Sequence, residues 1–340
     1  MKLDKLIAYT IGFIYSIFLS YFVTTSNYHN RDGSDLIAYE HFYNCLSSDS
    51  IDVCRIIISS NYEVFFYYLL KFFSLASFDF FWFIFFFSFF IYFSLVTFVV
   101  KYSREDNLLY LFAFVFLLTD FRYYDYGFNI IRHGSASTMM LIVIGCFLVL
   151  KSNVKYILLI FPVLFHLSAI AQLSLLIRAR VFYSRIFWFF LFLFFFALVF
   201  SPFFSWMIES FFNIGYLGDK LSHYLAGDRH PDWIPLQYFL ILVLSLLLNI
   251  NMRPYLLIRQ VFFSLISLSI IVFPIGMSYR FVAYAMPFSA VLLTYQIGYI
   301  CSSFERRTRV YLYMGSFIAM ILFGSLNIYK YYEFILGGLK

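Results

Sequence analysis

Ten apolar runs follow one another along this chain, at 6–25, 80–100, 107–120, 134–150, 154–177, 183–209, 235–250, 256–276, 281–300 and 309–329. A helix of about 20 apolar residues crosses a hydrocarbon core of roughly 30 Å, and inside lipid only a helix or a closed barrel satisfies its own backbone. The chain is therefore expected to be an all-α polytopic integral membrane protein with about 10–11 transmembrane segments. No repeat or low-complexity linker divides the runs, so residues 1–340 are read as a single membrane domain. Its main extracytoplasmic loops are expected at 26–61 and 210–234.

Composition supports lipid as the solvent. Hydrophobic residues make up 63% and charged residues 12%, and the mean hydropathy is +0.84. The 50 Phe and 30 Tyr exceed what interfacial aromatic belts require, so the Phe runs are given no functional weight. The net charge of +6 does not imply nucleic acid. The basic residues sit in short clusters between apolar runs, as expected of cytoplasmic loops.

Lys2 and Lys5 precede the first run, which is too long for a signal peptide and lacks a small-residue cleavage site before Asn27. It is expected to be a retained anchor with a cytoplasmic N-terminus. The segment 62–78 contains Lys71 and begins beside Glu63, so it is expected to be an interfacial or re-entrant helix. The segment 154–177 carries Pro162 and His166 near its middle, and proline breaks the helical hydrogen-bond ladder. Two half-spans turning near His166 are expected there.

This arrangement puts Lys101, Arg104, Lys151 and Lys155 in the cytoplasm with Arg178, Arg180, Arg185, Arg253, Arg259, Arg306, Arg307 and Arg309. The alternative, in which 62–78 crosses and 154–177 is one span, inverts only 79–153. In the first arrangement the outer side mixes both signs, including Arg122, Asp125, Arg132 and Arg280, and the chemistry is expected there. Almost no charge other than Lys71 is expected at mid-membrane depth.

Arg132 is the leading candidate. It lies in Asn129-Ile-Ile-Arg132-His133-Gly-Ser-Ala-Ser137, at the expected start of a helix whose dipole and free N–H groups favour an anion. The small residues after it permit close approach of a helix or a substrate. Arg280 repeats the pattern in Met277-Ser-Tyr279-Arg280, and two guanidinium groups on one face can clamp a diphosphate. The plainer reading of both arginines is an interfacial anchor.

His166 is either a buried core histidine or a donor or base toward substrate. Asp32, Asp35 and Glu63 are either solvated loop acids or carboxylates that activate a hydroxyl, with Arg31 and Tyr39 alongside. His223 and His230 with Asp228 and Asp232 match no established metal-ligand spacing, so no metal is expected. Cys45 and Cys54 share the first outer loop and are expected to pair in an oxidising compartment. No Walker loop, GxSxG or HExxH occurs, which removes nucleotide-driven pumps, serine hydrolases and zincins.

Five stretches taken in order carry a family resemblance. They are Asp35 with Tyr39, Asn61-Tyr-Glu63-Val-Phe-Phe-Tyr67, Asn129-Ile-Ile-Arg132-His133 with Ala136, His166-Leu-Ser168, and Tyr279-Arg280-Phe281. Together they resemble the EpsG-like family of bacterial polysaccharide polymerases, close to the Wzy-type O-antigen polymerases. The chain departs from that pattern at Val64 and Phe65, where Pro-Gly is usual, and at His133, where Gln is usual. The first departure puts a bent start to the 62–78 helix in question.

The resemblance implies a glycosyltransferase of the bacterial inner membrane, with its site facing the periplasm. It would join oligosaccharide repeat units carried on undecaprenyl diphosphate, with no cofactor. A chain-length regulator protein is an implied partner beside the lipid bilayer. In that reading Asp35, Glu63 or His166 serves catalysis, while Arg132, Arg280, Asn129, His133, Arg31, Tyr39 and Tyr279 bind the diphosphate or glycan. A lipid-linked oligosaccharide flippase, or an O-antigen ligase or membrane O-acyltransferase, is the alternative.

Overall fold

A computed structural model describes residues 3–25, 35–47, 64–104, 109–128, 130–176, 183–201, 206, 210, 236–272 and 278–336. Regular structure among these residues is entirely helical. In chain order the α-helices are α1 (Leu3–Thr25), α2 (Asp35–Ser47), α3 (Val64–Leu75), α4 (Phe80–Tyr102), α5 (Leu109–Thr119), α6 (Phe121–Phe128), α7 (Ile131–Val149) and α8 (Ile160–Phe165). They continue as α9 (Arg185–Val199), α10 (Leu236–Leu247), α11 (Arg253–Ile271), α12 (Ser278–Ser302) and α13 (Arg306–Leu336). 3-10 helices cover Asn153–Leu159 and Leu167–Leu176.

Among the described residues five helices, α1, α4, α7, α11 and α12, are long and apolar enough to cross a membrane. The chain is an all-α polytopic membrane protein, as expected. Several of the other apolar runs form helices shorter than a crossing needs: α5 has 11 residues, α10 has 12 and α9 has 15.

Both sequence-derived exceptions appear. Residues 64–75 form a 12-residue helix, α3, which is too short to span and runs regularly from Val64. The 154–177 run is broken at His166, whose backbone is extended (φ −159°, ψ 126°) between α8 and the second 3-10 helix.

The chain divides into two compact units, one of residues 1–170 and 300–340, the other of residues 171–299. In the first unit α1 and α4 pack antiparallel and very closely. Phe13 meets Phe89 and Phe93 edge to face, each at 5.5 Å, and a Cβ on Gly12 would collide with Val96. Asp79 caps α4 by accepting the Phe81 N–H at 3.1 Å, and Lys101 marks its other end. α7 lies alongside α4 and parallel to it. A Cβ on Gly134 would meet Ile91, Ser94 hydrogen-bonds Thr138 at 2.9 Å, and a Cβ on Gly145 would meet Tyr102. Phe112 of α5 packs on Tyr313 and Phe317 of α13 at 6.0 and 5.3 Å.

In the second unit, buried polar side chains tie helices together. The Arg259 guanidinium donates to the carbonyls of Tyr183 at 2.7 Å and Ser245 at 3.4 Å, and faces the rings of Tyr255 and Phe263. Arg185 donates to the Leu247 carbonyl at 2.6 Å, capping α10. Gln296 donates to Ile241 O and Ser245 Oγ at 3.0 and 2.7 Å. By sequence Arg259 is only a cytoplasmic topology marker. It is 2% exposed and instead satisfies carbonyls that lipid would leave unpaired.

Candidate functional site

The register of α7 against α4 fixes the depth of Arg132. Gly134 lies level with Ile91, which is about 16 Å along α4 from its first residue, Phe80, at roughly 1.5 Å per residue. α4 itself is 23 residues long, and α7 starts three residues before Gly134, so it begins about a third of the way along a spanning helix rather than at its end. No side chain caps its first turn, because Ile130 precedes it.

α6 is the shelf beneath this start. Asp120 accepts the Arg122 N–H at 3.0 Å and pairs with the Arg122 guanidinium at 3.3 Å, which begins and charges the helix at once. Asp120 and Arg122 are 1% and 5% exposed, so the pair is desolvated.

Tyrosines bind this shelf to its neighbours. Tyr92 donates to the Tyr124 carbonyl at 2.8 Å, Tyr124 donates to the Leu118 carbonyl at 2.8 Å, and the Tyr15 and Tyr124 hydroxyls share a bond of 3.1 Å. A Cβ at Gly127 would strike the Tyr92 hydroxyl, so glycine is needed for the close approach of α4. The Ile130 N–H donates to the Asp125 carbonyl at 3.1 Å, joining α6 to the first turn of α7.

The expectation of almost no charge at mid-depth is therefore corrected. Asp120, Arg122, Asp125 and Arg132 belong to the shelf and to the start of α7. The apolar run 107–120 was the missed signal. Its α5 covers 11 described residues, fewer than a crossing needs, and the shelf follows directly at Asp120 beside the middle of α4. The room expected after Arg132 is also filled: Gly134, Ser135, Ala136 and Ser137 are buried, and Gly134 abuts Ile91 and Tyr126.

From the other side, α2 and α3 close over the start of α7. The Tyr43 hydroxyl donates to the Phe78 carbonyl at 2.6 Å and Ser74 donates to the Tyr43 carbonyl at 3.2 Å. Burial, and then the Asp79 carboxylate, push the Tyr43 phenol above its ordinary range. This docking presents Tyr39, whose ring lies 5.8 Å from the guanidinium carbon of Arg132 and 5.1 Å from Phe66. Phe66 in turn packs on Phe83 and Phe87 of α4, and Phe65 packs on Phe165 of α8.

Two histidines and a tyrosine from three elements meet at the same place. The His133 ring lies 5.7 Å from Tyr126 and 4.8 Å from His166, edge to face with the latter. Both imidazoles are buried. His166 accepts the Ser168 N–H on Nδ1 at 3.2 Å, while its own backbone N–H donates to the Pro162 carbonyl at 3.1 Å.

The structure thus brings Tyr39, Arg132, His133 and His166 together, with Tyr126 added. The contact of Arg132 with Tyr39 also puts the start of α7 at the same end of the bundle as α2, as the arrangement with a non-crossing 62–78 segment requires.

Tyr279 and Arg280 occupy the first turn of α12, both half-buried, in the second unit. There Ser278 hydrogen-bonds Ser269 at 3.1 Å, linking the start of α12 to the end of α11. Asp35 opens α2, but its side chain lies outside the described residues, as do Arg31, Asp32, Glu63, Asn129, His223, Asp228, His230 and Asp232. Among the described residues no three His, Cys, Asp or Glu side chains gather to hold a metal ion. Cys45 is disulfide-bonded; Cys54, its expected partner, lies outside the described residues.

A guanidinium held over an aromatic ring, at an uncapped helix start, is suited to a carboxylate or a phosphate group. Two buried imidazoles beside it can donate to or accept from the same ligand. No curated protein and no solved structure matches the chain. A family model does, over residues 11–336, and by that match the chain belongs to the EpsG family.

Proposed function

We propose that this protein is a polysaccharide polymerase of the Wzy type. It is a membrane glycosyltransferase that joins oligosaccharide repeat units carried on undecaprenyl diphosphate at the periplasmic face of the inner membrane. Family membership supports a polymerase. The observation that carries the site is Arg132 at the start of α7, held against Tyr39 and beside His133 and His166.

In the reaction, a hydroxyl of the incoming unit attacks the anomeric carbon of the growing glycan. The bond from that carbon to the diphosphate oxygen breaks, and the lipid diphosphate leaves with the electron pair. Arg132 stabilises the charge that develops on it. The hydroxyl proton passes to Asp35, Glu63 or His166. Arg31 and Asn129 complete the binding of diphosphate and glycan, and a chain-length regulator is the partner that sets product length.

A flippase is the second reading, because a charged cluster at mid-depth can also line a passage. The sequence of α7 disfavours it. Beyond Thr138 the helix runs from Met139 to Val149 without a charged or hydroxyl side chain, so α7 lines no polar path past that point.

The test is a gel of cell lipopolysaccharide. Arg132→Ala is expected to leave a single repeat on the core at normal protein level, and long chains in that strain would overturn the proposal. In a deletion strain a single repeat marks a lost polymerase, whereas bare core marks a lost ligase or flippase.

A further inference from the structure

α3 ends in a turn of fixed shape. The Phe78 N–H reaches back to the Phe73 carbonyl at 3.2 Å, the Ser77 N–H to the Ser74 carbonyl at 3.1 Å, and the Phe73 and Phe78 rings meet at 5.6 Å. These bonds are those of a left-handed helix close, with Ser77 at the position that glycine usually takes. Ser77 has φ 56°, the one positive φ outside glycine among the described residues, and its Cβ disfavours that backbone. Such strain persists only where the surroundings fix it. Asp79 caps α4 directly afterwards, so the Phe78 carbonyl lies between the two helices. It accepts its hydrogen bond from the Tyr43 hydroxyl, at 2.6 Å.

Tyr43 is held there in three ways. Its hydroxyl donates to Phe78, its own carbonyl accepts the Ser74 hydroxyl at 3.2 Å, and its ring lies against Phe80 and Phe83 at 5.3 and 5.9 Å. One turn earlier on the same face of α2, Tyr39 meets Arg132. Leu36, Tyr39 and Tyr43 form the buried stripe of α2, while His41 and Asn44 are exposed. We infer that Tyr43 is a positioning residue of the Arg132 site: its hydroxyl, latched on the Phe78 carbonyl, holds α2 in place and so keeps the Tyr39 ring on the guanidinium. The bearing of the latch on chain elongation rests on the polymerase reading above; the latch itself does not.

The latch is tested on the full chain in detergent, by labelling a cysteine placed under α2. Leu36→Cys, made with Cys146 and Cys301 replaced by serine, is expected to react slowly with a maleimide, because residue 36 is buried. The same protein without Leu36→Cys gives the background. Adding Tyr43→Phe is expected to raise the rate roughly tenfold, as loss of one buried hydrogen bond does. Tyr92→Phe, which removes a tyrosine–carbonyl bond elsewhere in the unit, is expected to leave the rate unchanged, as is Ser77→Gly, which keeps the turn. Ser77→Val, whose branched side chain opposes a positive φ, is expected to raise it with Tyr43 intact. An unchanged rate in Tyr43→Phe or in Ser77→Val, or an equal rise in Tyr92→Phe, overturns the inference.

Action through Arg132 is tested by elongation with the purified protein and a lipid-linked oligosaccharide. Tyr43→Phe is expected to lower kcat/KM about fivefold in the wild-type chain. In Arg132→Lys, where the guanidinium that Tyr39 holds is gone, the same change is expected to cost less than about twofold. Equal losses in the two backgrounds overturn the positioning role. Arg132→Ala separately tests the polymerase reading, and a failure there leaves the labelling result standing.

Discussion

Gly134 and Ile91 touch so closely that a methyl group added at residue 134 would lie 2.8 Å from the Ile91 Cδ1 and 3.1 Å from the Tyr126 carbonyl. This contact sets how far down α4 the start of α7 rests, and so where Arg132 is held. Gly134→Val is expected to force α7 outward, costing about 1–3 kcal/mol as an overpacked core does, with loss of chain elongation. Ile91→Ala in the same chain removes the nearer obstacle and is expected to restore part of both. Thermal unfolding in detergent and a lipopolysaccharide gel measure the two effects. A double mutant no better than Gly134→Val alone would mean that Ile91 does not set this register.

Tyr39 offers Arg132 the face of its ring, with the guanidinium over it at 5.8 Å. A buried cation–π contact is worth roughly 0.5–2 kcal/mol. Tyr39→Phe is therefore expected to keep most elongation. Tyr39→Leu is expected to lose several-fold or more, because the guanidinium is no longer held. Arg132→Lys is expected to fall well below wild type even with its charge retained, since an ammonium lacks the planar fork. The gel of cell lipopolysaccharide reads all three, and a severe loss in Tyr39→Phe would shift the role to the hydroxyl.

What the sequence revealed and what it concealed divide along a physical line. Hydropathy reports which segments can lie in lipid, so the helical membrane class was legible. A break in the 154–177 run was legible too, because Pro162 cannot stand inside one continuous helix; it stands instead in the first turn of α8, where its missing N–H costs nothing. The candidate cluster of Arg132, His133 and His166 was legible from residue type and order. Its depth was not, because a hydropathy profile cannot tell which residue of α4 will sit opposite Gly134. The same gap hid α6. Asp120, Arg122 and Asp125 read as a solvated loop, whereas in the structure all three are buried. By residue type alone, the small residues after Arg132 offer room for a ligand, whereas neighbouring helices fill that room.

The Asp120–Arg122 pair underlies the shelf, and its charges are buried together. Removing one partner from a buried pair leaves the other uncompensated and typically costs about 3–5 kcal/mol, whereas replacing both with apolar residues costs much less. Asp120→Ala is accordingly expected to destabilise more than Asp120→Ala combined with Arg122→Met, even though the second chain carries more changes. The Asp120 side chain also accepts the Arg122 N–H, so the double variant retains a cap loss of about 1 kcal/mol. Unfolding temperatures of the two variants in one detergent decide the point. A double variant less stable than the single one would show that the pair is not the dominant interaction.

Depth itself is open to chemical test. Ile130 has a non-helical backbone (φ −113°, ψ 50°) and precedes a helix start about a third of the way along α4. Non-helical backbone at such depth is tolerated only where protein covers it or water reaches it, and Ile130 is half-buried. A diphosphate must also reach Arg132 through water. With Cys146 and Cys301, the two free cysteines among the described residues, replaced by serine, Ile130→Cys is expected to react with a membrane-impermeant maleimide added from the periplasmic side. Ile142→Cys, further along α7 and exposed on its lipid-facing surface, is expected to stay unlabelled. Prior incubation with a lipid-linked oligosaccharide is expected to protect Ile130→Cys, because the ligand fills the path to Arg132. Equal labelling at 130 and 142 would mean that α7 is wetted along its length, which fits a passage through the membrane better than a recess open at one end.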